Sequence, residues 1–239
     1  MPNETKSKTG RKDERDPVIC TVDVVLLTLE AGSLRFVLVP REAGPFKGVS
    51  ALPGGFVHPE EDRDLRACAE RVLKVKAGVE GQWLEQLSVF SGKARDPRGW
   101  SLSVAWFAVV HSDTLRATLP AGAQLRDARD LSGLPFDHDE IVGAALSRLR
   151  SKSSYSSLPA HLCPETFTLP QLQAVYEAVM GEPINKVSFR RKMEELSFLE
   201  PVEGVRTHGG AHRPAQLWRL KEDFRIHLKL TDRGLNTGG

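Results

Sequence analysis

Residues 54–79 read GGFVHPEEDRDLRACAERVLKVKAGV. A Gly-Gly turn leads through an acidic stretch into a helical pattern that closes on Ala77-Gly78-Val79. Leu65, Cys68 or Ala69, Val72 and Val75 or Lys76 recur at three- and four-residue steps, which predicts a helix over 65–76 with one apolar face. The Gly pair lets backbone N–H groups approach a phosphate, because no Cβ stands in the way. Carboxylates clustered one turn apart on the helix would hold a divalent cation bridging a pyrophosphate. This helix offers only Glu70 between Asp64 and Glu80, so it carries no such cluster.

Working outward, CTVDVVLLTL and LRFVLVP predict a β-hairpin over Val18–Pro40, turning at Glu30-Ala31-Gly32-Ser33. Gly44–Ser50 reads as loop. Two more strands are predicted near Trp83–Lys93 and Ser101–His111; the second is mostly apolar, as a buried strand should be. Asp137-His138-Asp139-Glu140 fits a capping box, with Asp137 as N-cap and Glu140 reaching back to its amide. That helix is predicted to run to about Arg150. SKSSYSSLPA follows, with five serines between Ser151 and Ser157, and reads as a hinge.

Beyond the hinge the pattern changes. Thr168-x-x-Gln171 is another capping box, Leu169, Leu172, Tyr176 and Val179 follow at helical spacing, and Gly181 suits a C-cap. A second helix carries Phe189, Met193 and Leu196 on one face. PVEGV and QLWRL then bracket THGGAHRPA, two short strands around a Gly-Gly tip. Helix, turn, helix and wing predict a winged helix-turn-helix.

The chain has 239 residues, net charge +2 and a hydrophobic fraction of 40%, which suits one large or two modest soluble domains. Near neutrality gives no global signal for nucleic acid, so that case rests on local clusters. Cys20, Cys68 and Cys163 lack a Cys-x-x-Cys and suggest reduced, cytoplasmic thiols rather than disulfides or zinc. No apolar run is long enough for a membrane span. The predicted organisation is a disordered tail over 1–17, a ligand-sensing domain over 18–150, a serine linker over 151–160, a DNA-binding domain over 161–232 and a tail over 233–239.

Two constellations follow. Gly54 and Gly55 with Arg41, Lys47 and Arg71 would bind a pyrophosphate; Asp96-Pro97-Arg98-Gly99 would shape the rim through Asp96 and Arg98, and Glu61 is a partner for Arg71. Lys74 or Lys76 would add positive charge from the helix. The second is the start of the second C-terminal helix: Lys186, Arg190, Arg191 and Lys192, with Asn185 and Ser188 as neutral hydrogen-bonding groups. Arg206, His208, His212 and Arg213 make a basic wing for phosphates or the minor groove. Taken alone, Lys47 and Arg98 are better explained as solvated and the Gly pair as a simple turn, and for the C-terminal clusters a solvated basic face on a protein-binding adaptor is the bland alternative.

The box resembles that of the Nudix superfamily over about residues 18–150, and the resemblance implies an α/β fold, an α/β/α sandwich on a mixed sheet. The family's box is Gly, five residues, Glu, seven residues, Arg-Glu-apolar, one residue, Glu-Glu, one residue, Gly-apolar. Gly55 and Glu61 match its opening; Arg71, Gly78 and Val79 match its close, with two residues inserted between. That register puts the family's metal glutamates on Val72, Val75 and Lys76, whereas an ungapped register puts them on Glu70, Leu73 and Lys74. Either way the Glu-Glu pair is lost, and a lysine near a dication repels it. Hydrolysis in its usual form is not expected, and magnesium would matter only to a residual activity.

TVDVVLLTL, LPGGFV, LPFDHDEIVGAAL, FTLPQLQAVYEAVMG, SFRRK and RPAQLWRL together resemble the Nudix-related transcriptional regulators of NAD metabolism. That resemblance implies a homodimer on a palindromic double-stranded operator, repression of NAD synthesis or salvage genes, and release by ADP-ribose or a related nucleotide effector, with no cofactor required. The alternative it leaves open is an active ADP-ribose pyrophosphatase-like Nudix hydrolase with an accessory winged helix, using Glu61 and Glu70.

Overall fold

The computed structural model describes residues 17–206, 215–230 and 235. The predicted tails over 1–17 and 233–239 lie almost wholly outside the described residues. The hairpin forms as expected: β1 (Ile19–Glu30) and β2 (Ser33–Pro40) pair antiparallel, with Glu30 facing Ser33 across Ala31-Gly32. β3 (Ser50–Ala51) pairs with β2, and β4 (Gly54–Phe56) with β1. β5 (Leu84–Gly92) and β6 (Ser101–Val109) form an antiparallel pair. β6 runs parallel to β1, from Ile19 facing Ser101 to Leu27 facing Val109. β7 (Gln124–Asp127), which no local pattern announces, pairs with β2 and completes a mixed seven-stranded sheet.

Because side chains alternate along β1, Val22, Val24 and Leu26 pack on one face while Val25 and Leu27 pack on the other. The first face is covered by α1 (Leu65–Ala77) and α2 (Ser112–Thr118), the second by α3 (His138–Ser153). This is the α/β/α sandwich, and it explains why β1 is apolar almost throughout: both faces are buried. α1 starts where Asp64 accepts a hydrogen bond from the Ala67 amide, and ends at Gly78 in the left-handed region, where an added Cβ would collide with the Thr118 carbonyl.

The winged helix follows its predicted pattern. Thr168 and Gln171 cap α4 (Leu169–Met180) reciprocally, and Gly181 ends it with positive φ. α5 (Lys186–Leu196) buries Phe189, Met193 and Leu196 against Leu172 and Tyr176. β8 (Leu199–Arg206) and β9 (Gln216–Leu220) pair antiparallel as the wing. No described helix is long and apolar enough to cross a membrane.

Three expectations are corrected. The Gly pair is a strand, not a turn: Val22 faces Gly55 and Asp23 faces Gly54. A Cβ on Gly54 would strike the Asp23 carboxylate and one on Gly55 would press on Val72, so these glycines let a strand lie close to a charged group and to α1. Asp137 does not cap α3, because its carboxylate is engaged by Arg95 instead.

The third correction concerns the hinge. α3 runs through Ser153, and a short 3-10 helix (Leu158–Leu162) follows after four residues. Ser153 and Ser156 donate to the Leu149 and Lys152 carbonyls, four residues back, at 2.6 and 2.7 Å. Ser153, Ser156 and Ser157 are buried. The Tyr176 hydroxyl donates to the Ser156 carbonyl at 2.8 Å, and Ser157 N–H to the Lys229 carbonyl at 2.9 Å. Leu158, Leu162 and Val179 belong to the same apolar core as α3. The segment is a packed junction: Ser153 and Ser156 bond back to the helix they extend, and the Ser157 hydroxyl accepts from the Lys229 amide at 3.0 Å.

Candidate functional site

A cavity of about 380 Å³ opens beside β4 and α1. From the expected set it gathers Arg41, Gly54, Gly55, Arg71, Asp96 and Arg98. Lys47 and Glu61 are absent from its lining. Lys47 is exposed, and Glu61 sits near His58 Nδ1 at 3.3 Å and Arg71 Nε at 3.9 Å.

Arg71 is held by a different acid from the one expected. Its Nε and Nη2 donate to the two oxygens of Asp62 at 2.7 Å each, and Nη2 also donates to the Phe56 carbonyl at 2.9 Å. The loop 58–64 turns back so that Asp62 N–H reaches the His58 carbonyl, and this aims Asp62 rather than Glu61 inward. Hydrogen bonding from Arg71 holds the Asp62 carboxyl far below the usual carboxylate range, in spite of burial. Burial, with Asp62 beside it, pushes the Cys68 thiol up to about 12, so Cys68 stays protonated and is no nucleophile.

Arg98 is bidentate on Asp96 and lies 5.0 Å over the Phe56 ring. Burial raises the Asp96 carboxyl, and the Arg98 hydrogen bonds outweigh it and leave it lowered. Arg41 donates to the Pro45 carbonyl at 2.8 Å and lies 4.7 Å over the Phe136 ring. Among the described residues Arg41 has no ion pair, and burial together with the Arg98 charge presses its pKa downward. The cavity thus holds positive charge that an anion would relieve.

The floor of the cavity was missed by local pattern. Arg95 bonds Asp137 at 2.9 and 3.0 Å and Asp23 at 3.3 Å, and Ser103 donates to Asp23 at 2.7 Å. His138 Nδ1 accepts from the Leu52 amide, and burial holds this imidazole below its ordinary value and so neutral. The signal was there in Asp23, a lone carboxylate inside an apolar strand, which demands a buried partner.

The helix face that lines the cavity carries Arg71, Val72, Val75 and Lys76. Leu73 is fully buried on the other side, Lys74 pairs with Glu80, and Glu70 pairs with Arg66 at 2.9 Å. The structure therefore selects the register in which the metal glutamates of a Nudix box are replaced by Val72, Val75 and Lys76. Lys76 bonds Glu42 at 3.0 Å. These residues do not fit a divalent cation, and no group of three His, Cys, Asp or Glu among the described residues could hold one.

In the C-terminal unit, Lys186, Arg190 and Arg191 are exposed on α5, and the rest of the predicted set is placed differently. Asn185 Oδ1 is used as the helix cap, accepting from the Val187 and Ser188 amides at 3.0 and 3.1 Å. Lys192 is buried along its stem and pairs with Glu195 at 3.7 Å, so it leaves the outward face. Arg190 lies 3.7 Å from Glu194. In the wing, Arg219 is paired with Glu200 at 2.7 Å. His208, His212 and Arg213, and the side chain of Arg206, lie outside the described residues.

Comparison with known proteins agrees with both halves. The NUDIX domain family matches residues 20–152, and the NrtR DNA-binding winged helix domain matches residues 159–220. The chain is 36% identical over 215 residues to the ADPR responsive transcriptional repressor NtrR of Acinetobacter baylyi, covering 88% of this chain and 85% of that protein. It is similar to the crystal structure of Shewanella oneidensis NrtR complexed with a 27mer DNA, with TM-score 0.83 and 34% identity over 91% of this chain and 99% of that one. The NUDIX domain of Shewanella oneidensis NrtR complexed with ADP ribose matches with TM-score 0.52 and 30% identity, over 59% of this chain and 94% of that one.

Proposed function

The chain belongs to the NrtR family of ADP-ribose-responsive transcriptional repressors, and we propose that it represses genes of NAD synthesis or salvage in the cytoplasm and releases their operator when ADP-ribose, or a related nucleotide, fills the Nudix pocket. A homodimer sets two α5 helices about one DNA turn apart, roughly 34 Å, in successive stretches of major groove. Arg41 and Arg98 take the pyrophosphate, the Phe56 and Phe136 rings flank it, and Val72 and Val75 exclude water along the helix side. Lys76 occupies the position of the third box carboxylate and contributes positive charge there.

One observation carries this reading: a cationic pocket whose metal-ligand positions hold Val72, Val75 and Lys76 is joined, through a packed junction, to a helix with a basic outward face. The hydrolase alternative needs Glu61 and Glu70 together on a cation, but Glu61 is absent from the pocket lining and Glu70 faces Arg66. A ligand shifts the DNA-bound state only by its differential affinity for the two arrangements.

The test is a fluorescence-anisotropy titration of the full chain on a duplex recovered by in vitro selection. ADP-ribose should release the duplex, and Arg41→Ala should raise the concentration required while leaving nucleotide-free DNA affinity unchanged. Unaltered DNA binding at saturating ADP-ribose removes the sensor reading. Magnesium-dependent cleavage of ADP-ribose at enzymatic rates would restore the hydrolase reading.

A further inference from the structure

α5 begins Lys186-Val187-Ser188, and Val187 is 77% exposed, the most exposed of the large apolar side chains described. On a helix of 3.6 residues per turn it lies roughly 160° round from Phe189, on the side opposite the buried face. Arg190 and Arg191, three and four residues on, are exposed neighbours on that side. An isolated surface valine is unremarkable in itself. A β-branched residue is also a poor choice for a solvated helix position. Its place distinguishes it: the first turn, set by the Asn185 cap, between cations, where a recognition helix meets base edges.

Lysine and arginine there can bind phosphates or guanine, and Ser188 hydrogen-bonds without preference. None of them accounts for an apolar group at the centre of the patch. The major groove presents one apolar feature, the C5-methyl of thymine. We propose that Val187 is a specificity-determining residue of the DNA-binding surface and reads a thymine methyl in each half-site. This inference rests on the DNA-binding reading above and deepens it: the cations set affinity, while Val187 contributes discrimination at one base pair.

Deoxyuridine in place of thymine removes only that methyl and keeps every hydrogen-bonding group. The full chain, without nucleotide, would be measured on its selected duplex with thymines replaced singly by deoxyuridine. At one thymine per half-site the replacement should weaken binding about fourfold, the value of one buried methyl-sized group. Val187→Ala, which removes the contact in both half-sites, should bind the thymine duplex about sixteenfold more weakly and be indifferent to the replacement. Val187→Thr, which keeps a branched methyl, should stay sensitive. Equal loss in the native chain and in Val187→Ala, or no sensitive thymine in a duplex that the native chain binds specifically, overturns the inference and leaves the DNA reading intact. Failure of the native chain to select any sequence overturns the DNA reading, and the inference with it.

Discussion

Arg95 grips both carboxylate oxygens of Asp137, at 2.9 and 3.0 Å, across 42 residues of chain. It thereby ties the floor of the cavity to the residue that opens α3, and α3 runs directly into the junction with the winged helix. The pair is a structural strut between the cavity and α3.

Arg95 is 5% exposed and also faces Asp23. Arg95→Met therefore strands two carboxylates in the interior, and breaking a buried pair from one side costs about 3–5 kcal/mol. Urea unfolding should show a loss of that order, with a smaller one for Asp137→Asn, whose amide oxygen still accepts. A shift of the Arg95→Met midpoint indistinguishable from zero would contradict the strut.

Asp62 predicts a pH dependence. Its folded pKa is depressed, chiefly by the Arg71 hydrogen bonds, so the unfolded chain takes up its proton first as pH falls. The stability it lends is complete above the ordinary aspartate value, about 3.9, and drains away below it towards the lowered folded value. Thermal melts from neutral pH down to strongly acidic buffer should show this decline in the native chain, with one component missing in Asp62→Asn. Superimposable acid-side profiles would refute the assignment of Asp62 as the partner of Arg71.

The register of the box can be tested by rebuilding it. Val72→Glu, Val75→Glu and Lys76→Glu together place three carboxylates on the cavity face of α1, the arrangement that oxygen-seeking cations require. Calorimetry with magnesium or manganese should then detect binding that the native chain lacks. The same changes at Glu70 (already acidic), Leu73→Glu and Lys74→Glu should fail, because Leu73 is in the core and Lys74 pairs away from the pocket. Cation binding by the second set and not the first would reverse the register.

What the sequence made legible was local. α1, α4 and α5 were readable from their period, and α4 from its Thr168 cap as well; Asp64 and Asn185 also cap within three residues of themselves, but neither was read so, and Asn185 was assigned to DNA. What it hid was decided at long range. The capping signature at Asp137 was overridden by an arginine 42 residues away, and the choice of Asp62 over Glu61 depended on a loop turning back on His58. β7 is only four residues long and is a strand because β2 offers it an edge. The serine stretch looked like a tether by composition, yet the Ser153 and Ser156 hydroxyls each had a carbonyl four residues behind them, and Ser157 had the distant Lys229 amide. In the pocket, Arg41, Arg71 and Arg98 were visible as charges, while Phe56 and Phe136 became partners only once β4 and the segment before α3 were side by side.

The packed junction makes the last prediction, which concerns signalling. If Ser156 and Ser157 were a loose tether, nucleotide binding would leave the winged helices free to find DNA in either state. Because Tyr176 holds the Ser156 carbonyl and Val179 sits in the α3 core, movement of α3 must move α4. Moving a two-state equilibrium from mostly bound to mostly released takes about 5.5 kcal/mol of differential affinity, and a slack connection cannot transmit it. Inserting Gly-Ser-Gly-Ser between Tyr155 and Ser156 should therefore preserve ADP-ribose binding by calorimetry and operator binding by anisotropy, yet abolish release of one by the other. Release at the native ADP-ribose concentration in the inserted chain would show that the signal travels by another route.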